Sequence, residues 1–273
     1  TLTCRSTGAS LIRRGGVPLR FASLARETAR HGGFRVGRLL PARAVRYGIP
    51  AGEFFQLIAE FFQRLTASAL MALPQLQVIQ VHGFGDGHVP ADRREVMFEA
   101  WRNTPWLRWI CLTKRVPNIE KMLPKDWGAG YRNVGLVATT VTQDEFDRDA
   151  PRLLRVPAAW HGFSMEPQLD EILLPGWVTD HRGSLWFITG GESRQPLRGE
   201  RNGGERPYDP MWAFALVHAA LTGRSMGKSW WTFVKQMGCK PVGLPAPRDG
   251  MGKDPAEWPK PLRVQDFPPE LLT

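Results

Sequence analysis

From residue 77 to residue 240 the chain alternates short apolar runs with longer amphipathic stretches, and each apolar run stops abruptly at polar, charged or glycine residues. The runs at 77–82, 107–112, 133–140, 159–165, 185–189 and 229–234 are rich in Val, Ile, Leu, Phe and Trp. They are too short for helices, and their composition predicts buried strands. Between and before them, apolar residues at helical spacing predict helices over 53–65, 92–102, 116–123, 143–154, 169–174 and 210–221. The first is the most regular: Phe54, Phe55, Leu57, Ile58, Phe61, Phe62 and Leu65 make one apolar stripe. Acidic residues open the helix over 143–154, and Asp209 with Pro210 starts the last one.

Strands that alternate with helices pair in parallel through right-handed crossovers. Six of them predict an α/β fold, an incomplete parallel β/α barrel, over residues 48–240. After Cys239 the composition changes, with eight prolines between residues 241 and 273. Such a segment cannot continue the sheet, so it is expected to run extended over the barrel, anchored by Trp258, Leu262, Val264 and Phe267. Trp101, Trp106, Trp109, Trp160, Trp186, Trp212, Trp230 and Trp231 are expected mostly in the core, with stacking on a base or sugar as the alternative.

Charge divides the chain unevenly. Residues 1–47 hold ten Arg, no Lys and a single acid, Glu27, so +9 of the net +10 belongs to them. This Arg-rich segment reads as a solvated arm, as a phosphate-backbone ligand, or as a degenerate or truncated stretch. No apolar run reaches the roughly 18 residues that a membrane helix requires, and a cytoplasmic location is expected. The chain opens on Thr1, as a processed chain or a fragment would. Cys4, Cys111 and Cys239 are too few and too scattered for a disulfide framework or a local metal knuckle.

The polar stops carry the candidate chemistry, because ligands of parallel α/β folds bind outside the carboxyl ends of the strands. Glu166, in Ser164-Met165-Glu166-Pro167, and Lys235 are expected to form an interior ion pair or an acid–base couple with Gln236 beside them. Gly190 and Gly191 follow an apolar run and let a ligand approach the backbone, and Glu192 can accept from an ammonium or a ribose hydroxyl. Ser193 and Thr140 complete that cofactor set. Lys114 and Arg115 suit a carboxylate or phosphate, with Asp86 and Ser164 as further substrate contacts. His82, Asp86 and His88 offer a metal set, although a glycine-rich turn accounts for the same residues.

An ordered set of segments resembles a phage and prophage family labelled Gp-thirty-seven/sixty-eight-like. The segments are Leu112-Thr113-Lys114-Arg115-Val116-Pro117-Asn118, Asn133-Val134-Gly135-Leu136, Ser164-Met165-Glu166-Pro167-Gln168-Leu169, Thr189-Gly190-Gly191-Glu192-Ser193 and Phe233-Val234-Lys235-Gln236-Met237-Gly238. That family looks like a radical-SAM half barrel. The resemblance implies six strands, S-adenosylmethionine at the open face, and a four-iron (4Fe-4S) cluster held by three cysteines near the N-terminus. Cys4 matches a first cluster cysteine, His31-Gly32-Gly33-Phe34-Arg35 is similar to the segment after the last, and residues 27–29 hold no cysteine. The implied activities are adenosyl-radical chemistry on a nucleic-acid component or small polar substrate, or ligand binding by a clusterless relative. A nucleic-acid-binding accessory protein that grips phosphates through residues 1–47 is the alternative.

Overall fold

The computed structural model of the chain describes residues 78–82, 91–193 and 205–272. Within them the apolar runs become β1 (Val78–His82), β2 (Arg108–Thr113), β3 (Val134–Thr139), β4 (His161–Met165), β5 (Leu185–Gly190) and β6 (Trp230–Gln236). Every lateral pairing is parallel and the strand order equals the chain order, β1-β2-β3-β4-β5-β6. Right-handed crossovers that always step in one direction land on one face of the sheet. The architecture is therefore an incomplete parallel β/α barrel, with helices outside and the other sheet face turned inward.

The crossovers are α1 (Ala91–Asn103), a 3-10 turn (Val116–Asn118) running into α2 (Ile119–Met122), α3 (Gln143–Arg155), a 3-10 turn (Gly176–Asp180) and α4 (Pro210–Ser225). Helix α3 begins where Thr142 accepts the Glu145 N–H and the Glu145 carboxylate accepts the Val141 N–H at 2.8 Å. This reciprocal arrangement satisfies donors that a helix start leaves open. Helix α4 begins with Asp209 accepting the Met211 N–H, and Pro210 occupies a position whose missing N–H costs nothing.

The expected helix over 169–174 does not form. The Leu169 N–H donates to the Val141 carbonyl, and the Gln143 side chain brackets Leu173 by accepting its N–H and donating to its carbonyl. The segment is laid across the start of α3 instead of coiling. The expected helix over 53–65 and the segment 1–47 lie outside the described residues.

Two cores follow from the alternation of strand side chains. On the outer face Phe98 and Trp101 of α1, Phe146 and Leu153 of α3 and Leu216 of α4 cover Trp109, Leu136, Phe163, Phe187 and Trp230. On the inner face Ile110, Val137, Trp160, Trp186, Ile188 and Phe233 pack with Phe267 and Leu271 from the C-terminal segment. That segment also edges β6, where the Val234 N–H donates to the Val264 carbonyl and the Asp266 N–H to the Thr232 carbonyl. Covering an edge strand removes unpaired backbone groups that would otherwise invite another chain. Among the described residues, no helix is long and apolar enough to cross a membrane.

Candidate functional site

Along the inner face, apolar side chains give way to polar ones toward the strands' C-terminal ends. Trp160 and Trp186 sit low, and Val137, Ile188 and Phe233 lie above them. Thr139 and Ser164 come next, in register on β3 and β4. Glu166 and Lys235 close the series. Each of these polar residues lies at or just past the last two positions of its strand, so parallel pairing alone brings them to one rim.

Lys235 Nζ donates to Glu166 Oε2 at 2.7 Å, and the Ser164 hydroxyl makes a longer contact to the same oxygen at 3.4 Å. The pair reaches from β4 to β6 across β5, and the β5 residue beneath it is Gly190. A Cβ at Gly190 would stand 3.1 Å from Glu166 Oε1 and 3.2 Å from the Gln236 carbonyl, so a side chain there would crowd the carboxylate. The register shifts at the same point: Thr189 faces Val234 but Gly190 faces Gln236, which leaves Lys235 as the extra residue. A bulge of this kind re-aims a side chain, and here it sets the ammonium over the glycine.

Like Glu270 Oε2 in the C-terminal segment, Glu166 Oε1 is an unsatisfied carboxylate oxygen. It is buried and has no hydrogen-bond partner among the described residues, and the Glu166 side chain as a whole is only 11 % exposed. A buried acceptor left without a donor costs about 1–3 kcal/mol, more for a charged group. Thr140 Oγ1, fully buried just past β3, also has no partner. The Thr140 N–H donates to the Ser164 carbonyl, which ties it to the same corner.

The remaining expected contacts are differently placed. Gly191 is packed from above: a Cβ there would fall 2.6 Å from the Met237 carbonyl and 2.9 Å from Gly238 Cα. The Gln236 amide is buried and donates to the Gly191 carbonyl at 2.7 Å, so in this structure it holds the β5–β6 ends together. Glu192 pairs with Arg206, accepting from its backbone N–H and from its guanidinium at 3.1 Å. That guanidinium holds the carboxyl below its ordinary range. Ser193 is half-buried in the loop after β5. Lys114 and Arg115 lie away from the Glu166 corner, in a cleft with Arg148 and Asp149 of α3. Asp86, His88 and Cys4 lie outside the described residues, and of His82 only the backbone in β1 is described.

Reasoning from strand ends missed a network beneath the rim. The Tyr208 hydroxyl and Thr189 Oγ1 share a bond of 2.8 Å, and Thr189 donates onward to Gln168 Oε1 at 2.6 Å. Burial raises the Tyr208 hydroxyl above its ordinary range, so it stays protonated. The network props the loop that carries Glu166, because the Gln168 N–H also donates to the Gly190 carbonyl. Among the described residues, no three His, Cys, Asp or Glu side chains converge as a metal site.

A model of the family described as Protein of unknown function (DUF5131) matches residues 75–241, which are all six strands and the crossovers between them. The chain belongs to this family. The DUF5131 match thus contains the whole of the Glu166–Lys235 corner and the Lys114 cleft. Comparison with curated proteins and with solved structures gives no match.

Proposed function

We propose that the mouth of the half barrel binds S-adenosylmethionine or a similar nucleoside-type molecule and acts there on a small polar or nucleotide-like substrate. The protein would be a phage- or prophage-type radical-SAM-like enzyme or a clusterless relative of one. The observation that carries this reading is the partnerless Oε1 of Glu166, held beside an ammonium at the C-terminal ends of parallel strands. S-adenosylmethionine has an ammonium group and ribose hydroxyls, which are donors of the kind that oxygen lacks. Its own carboxylate suits Lys235, which is partly exposed. Glu166 and Lys235 also share a short hydrogen bond across which a proton can be held or passed at Oε2.

A four-iron cluster is normally held by three or more thiolates. The described residues offer Cys111, buried in β2, and Cys239, and these do not fit such a cluster. Cys4 is outside them. Titration calorimetry with S-adenosylmethionine and S-adenosylhomocysteine tests the reading. Saturable binding of either is expected, and a flat titration for both would sink it.

A second reading has composition behind it: ten Arg within residues 1–47 suit a nucleic-acid-binding accessory protein. It requires that deleting 1–47 abolish nucleic-acid binding.

A further inference from the structure

Beside the mouth lies a charged feature that the Glu166 chemistry does not use. Lys114 and Arg115, directly after β2, line a cleft of about 510 Å³ with Pro117, Asn118 and, from α3, Arg148 and Asp149. Pro117 also borders a groove of about 190 Å³ whose charged walls are Glu120, Arg152 and Arg155. Arg148, Arg152 and Arg155 recur at i, i+4 and i+7, so one stripe of α3 carries all three. At 1.5 Å of rise per residue the stripe is about 10 Å long.

Five cations face two acids along this path. Of the acids, Asp149 is engaged by Arg148 at 2.7 and 3.0 Å, and Glu120 is exposed. Lys114, Arg152 and Arg155 are exposed and make no ion pair with a described residue. Cations at the end of a helix favour its negative pole, which accounts for Arg152 and Arg155 singly. It does not account for their alignment with Lys114, which belongs to another element.

We propose that this path is a docking surface for the phosphodiester backbone of a nucleic acid. A lone phosphate is best held by donors converging on one point, whereas these cations are strung along a line. Each strand of a duplex presents one phosphate per roughly 3.4 Å of axis, so a stripe of about 10 Å faces about three in succession. Lys114 directly follows Thr113, the last residue of β2, so a docked strand passes the C-terminal rim. What the strand is docked for rests on the mouth being a catalytic site. The docking itself does not.

The test is fluorescence anisotropy of the full chain with labelled single-stranded DNA and RNA of about twenty nucleotides across a salt series. The triple variant Lys114→Ala, Arg152→Ala, Arg155→Ala removes three charges at exposed positions. It is expected to weaken binding at least tenfold and to make the slope of log affinity against log salt shallower by about 2, at roughly 0.7 per phosphate contact on a single strand. The charge-preserving triple Lys114→Arg, Arg152→Lys, Arg155→Lys is expected to keep most of the affinity and the slope. Glu166→Gln should bind nucleic acid as wild type does while losing nucleoside binding, which separates failure here from failure at the mouth. Wild-type affinity and slope in the alanine triple would overturn the proposal and leave phosphate contact to residues 1–47. Absence of nucleic-acid binding by the intact chain would overturn it equally.

Discussion

The two ends of the inner sheet face are built on opposite rules. At the N-terminal end Trp160, Trp186 and Phe233 interlock with Phe267 and Leu271, and the Trp186 indole N–H, the polar atom of its ring, donates to the Asp266 carbonyl at 2.9 Å. At the C-terminal end Glu166 Oε1 and Thr140 Oγ1 are buried without partners. The same strands supply both ends, so topology does not cause the difference. One end has been sealed by the C-terminal segment, where the Ser184 hydroxyl donates to Glu270 Oε1 at 2.6 Å although Glu270 Oε2 is buried without a partner, and the other keeps two unpaired polar atoms beside an ammonium at the open rim. Stability should therefore concentrate at the first end and ligand binding at the second.

The largest expected effect breaks the sealed end. Trp186 is fully buried between Trp160, Phe233 and Phe267, and Trp186→Ala should cost about 3–5 kcal/mol in urea unfolding, as large core truncations do. Retention of stability to within about 1 kcal/mol would mean that the aromatic plug is not what holds this face.

Acid should also act on stability, at the N-terminal end of the opposite sheet face. His161 opens β4 on its helix-covered face, where its Nε2–H donates to the Val156 carbonyl and its ring meets His181 edge-on. Burial pushes its pKa down from 6.5 to about 4, and burial lowers His181 as well. Because the folded pKa is depressed, the unfolded chain takes up the proton first as pH falls. Stability is full above about pH 6.5 and is lost between there and pH 4, by roughly 3 kcal/mol for His161 alone. His161→Gln keeps a donor for Val156 and should flatten the profile. An unchanged profile in that variant would assign the acid sensitivity elsewhere.

A smaller stability effect with a larger functional one is expected at the mouth. Gly190→Val places methyl groups against Glu166 Oε1 and the Gln236 carbonyl. It should cost about 1–2 kcal/mol, as overpacking does, and should abolish nucleoside binding by displacing the carboxylate. Equal nucleoside affinity in this variant would show that the Glu166–Lys235 pair is not the ligand contact.

The contrast between the two ends was only partly legible in the sequence. Strands β2 to β5 fall within one or two residues of their apolar runs, because a strand buried on both faces has no exposed position to blur its limits. The last strand runs past its apolar stretch to Gln236, since a bulged lysine aimed at the mouth looks like a chain end. Residues 169–174 show helical spacing at Leu169, Ile172 and Leu173, yet the Gln143 side chain, thirty residues before Leu173, takes both backbone groups of Leu173, and the Val141 carbonyl takes the Leu169 N–H.

At the site, the meeting of Glu166 with Lys235 was legible, because both end strands of one parallel sheet. The partner of Glu192 was not. The stretch after it holds Arg194, Arg198, Arg201 and Arg206, and composition does not distinguish which one returns to pair. Nothing in the sequence singled out Arg152 and Arg155, since their alignment with Lys114 exists only in three dimensions.

The most direct test of the contrast is a paired measurement on Glu166→Gln, with thermal melting and S-adenosylmethionine calorimetry on the same preparation. Replacing a carboxylate that has a partnerless buried oxygen should leave the melting temperature unchanged or raise it, while nucleoside affinity falls at least tenfold. A melting temperature that drops by about 5 °C or more with affinity retained, the shift expected of roughly 1–2 kcal/mol, would contradict the account. Glu166 would then be part of the scaffold, and the mouth would owe its polarity to folding rather than to a ligand.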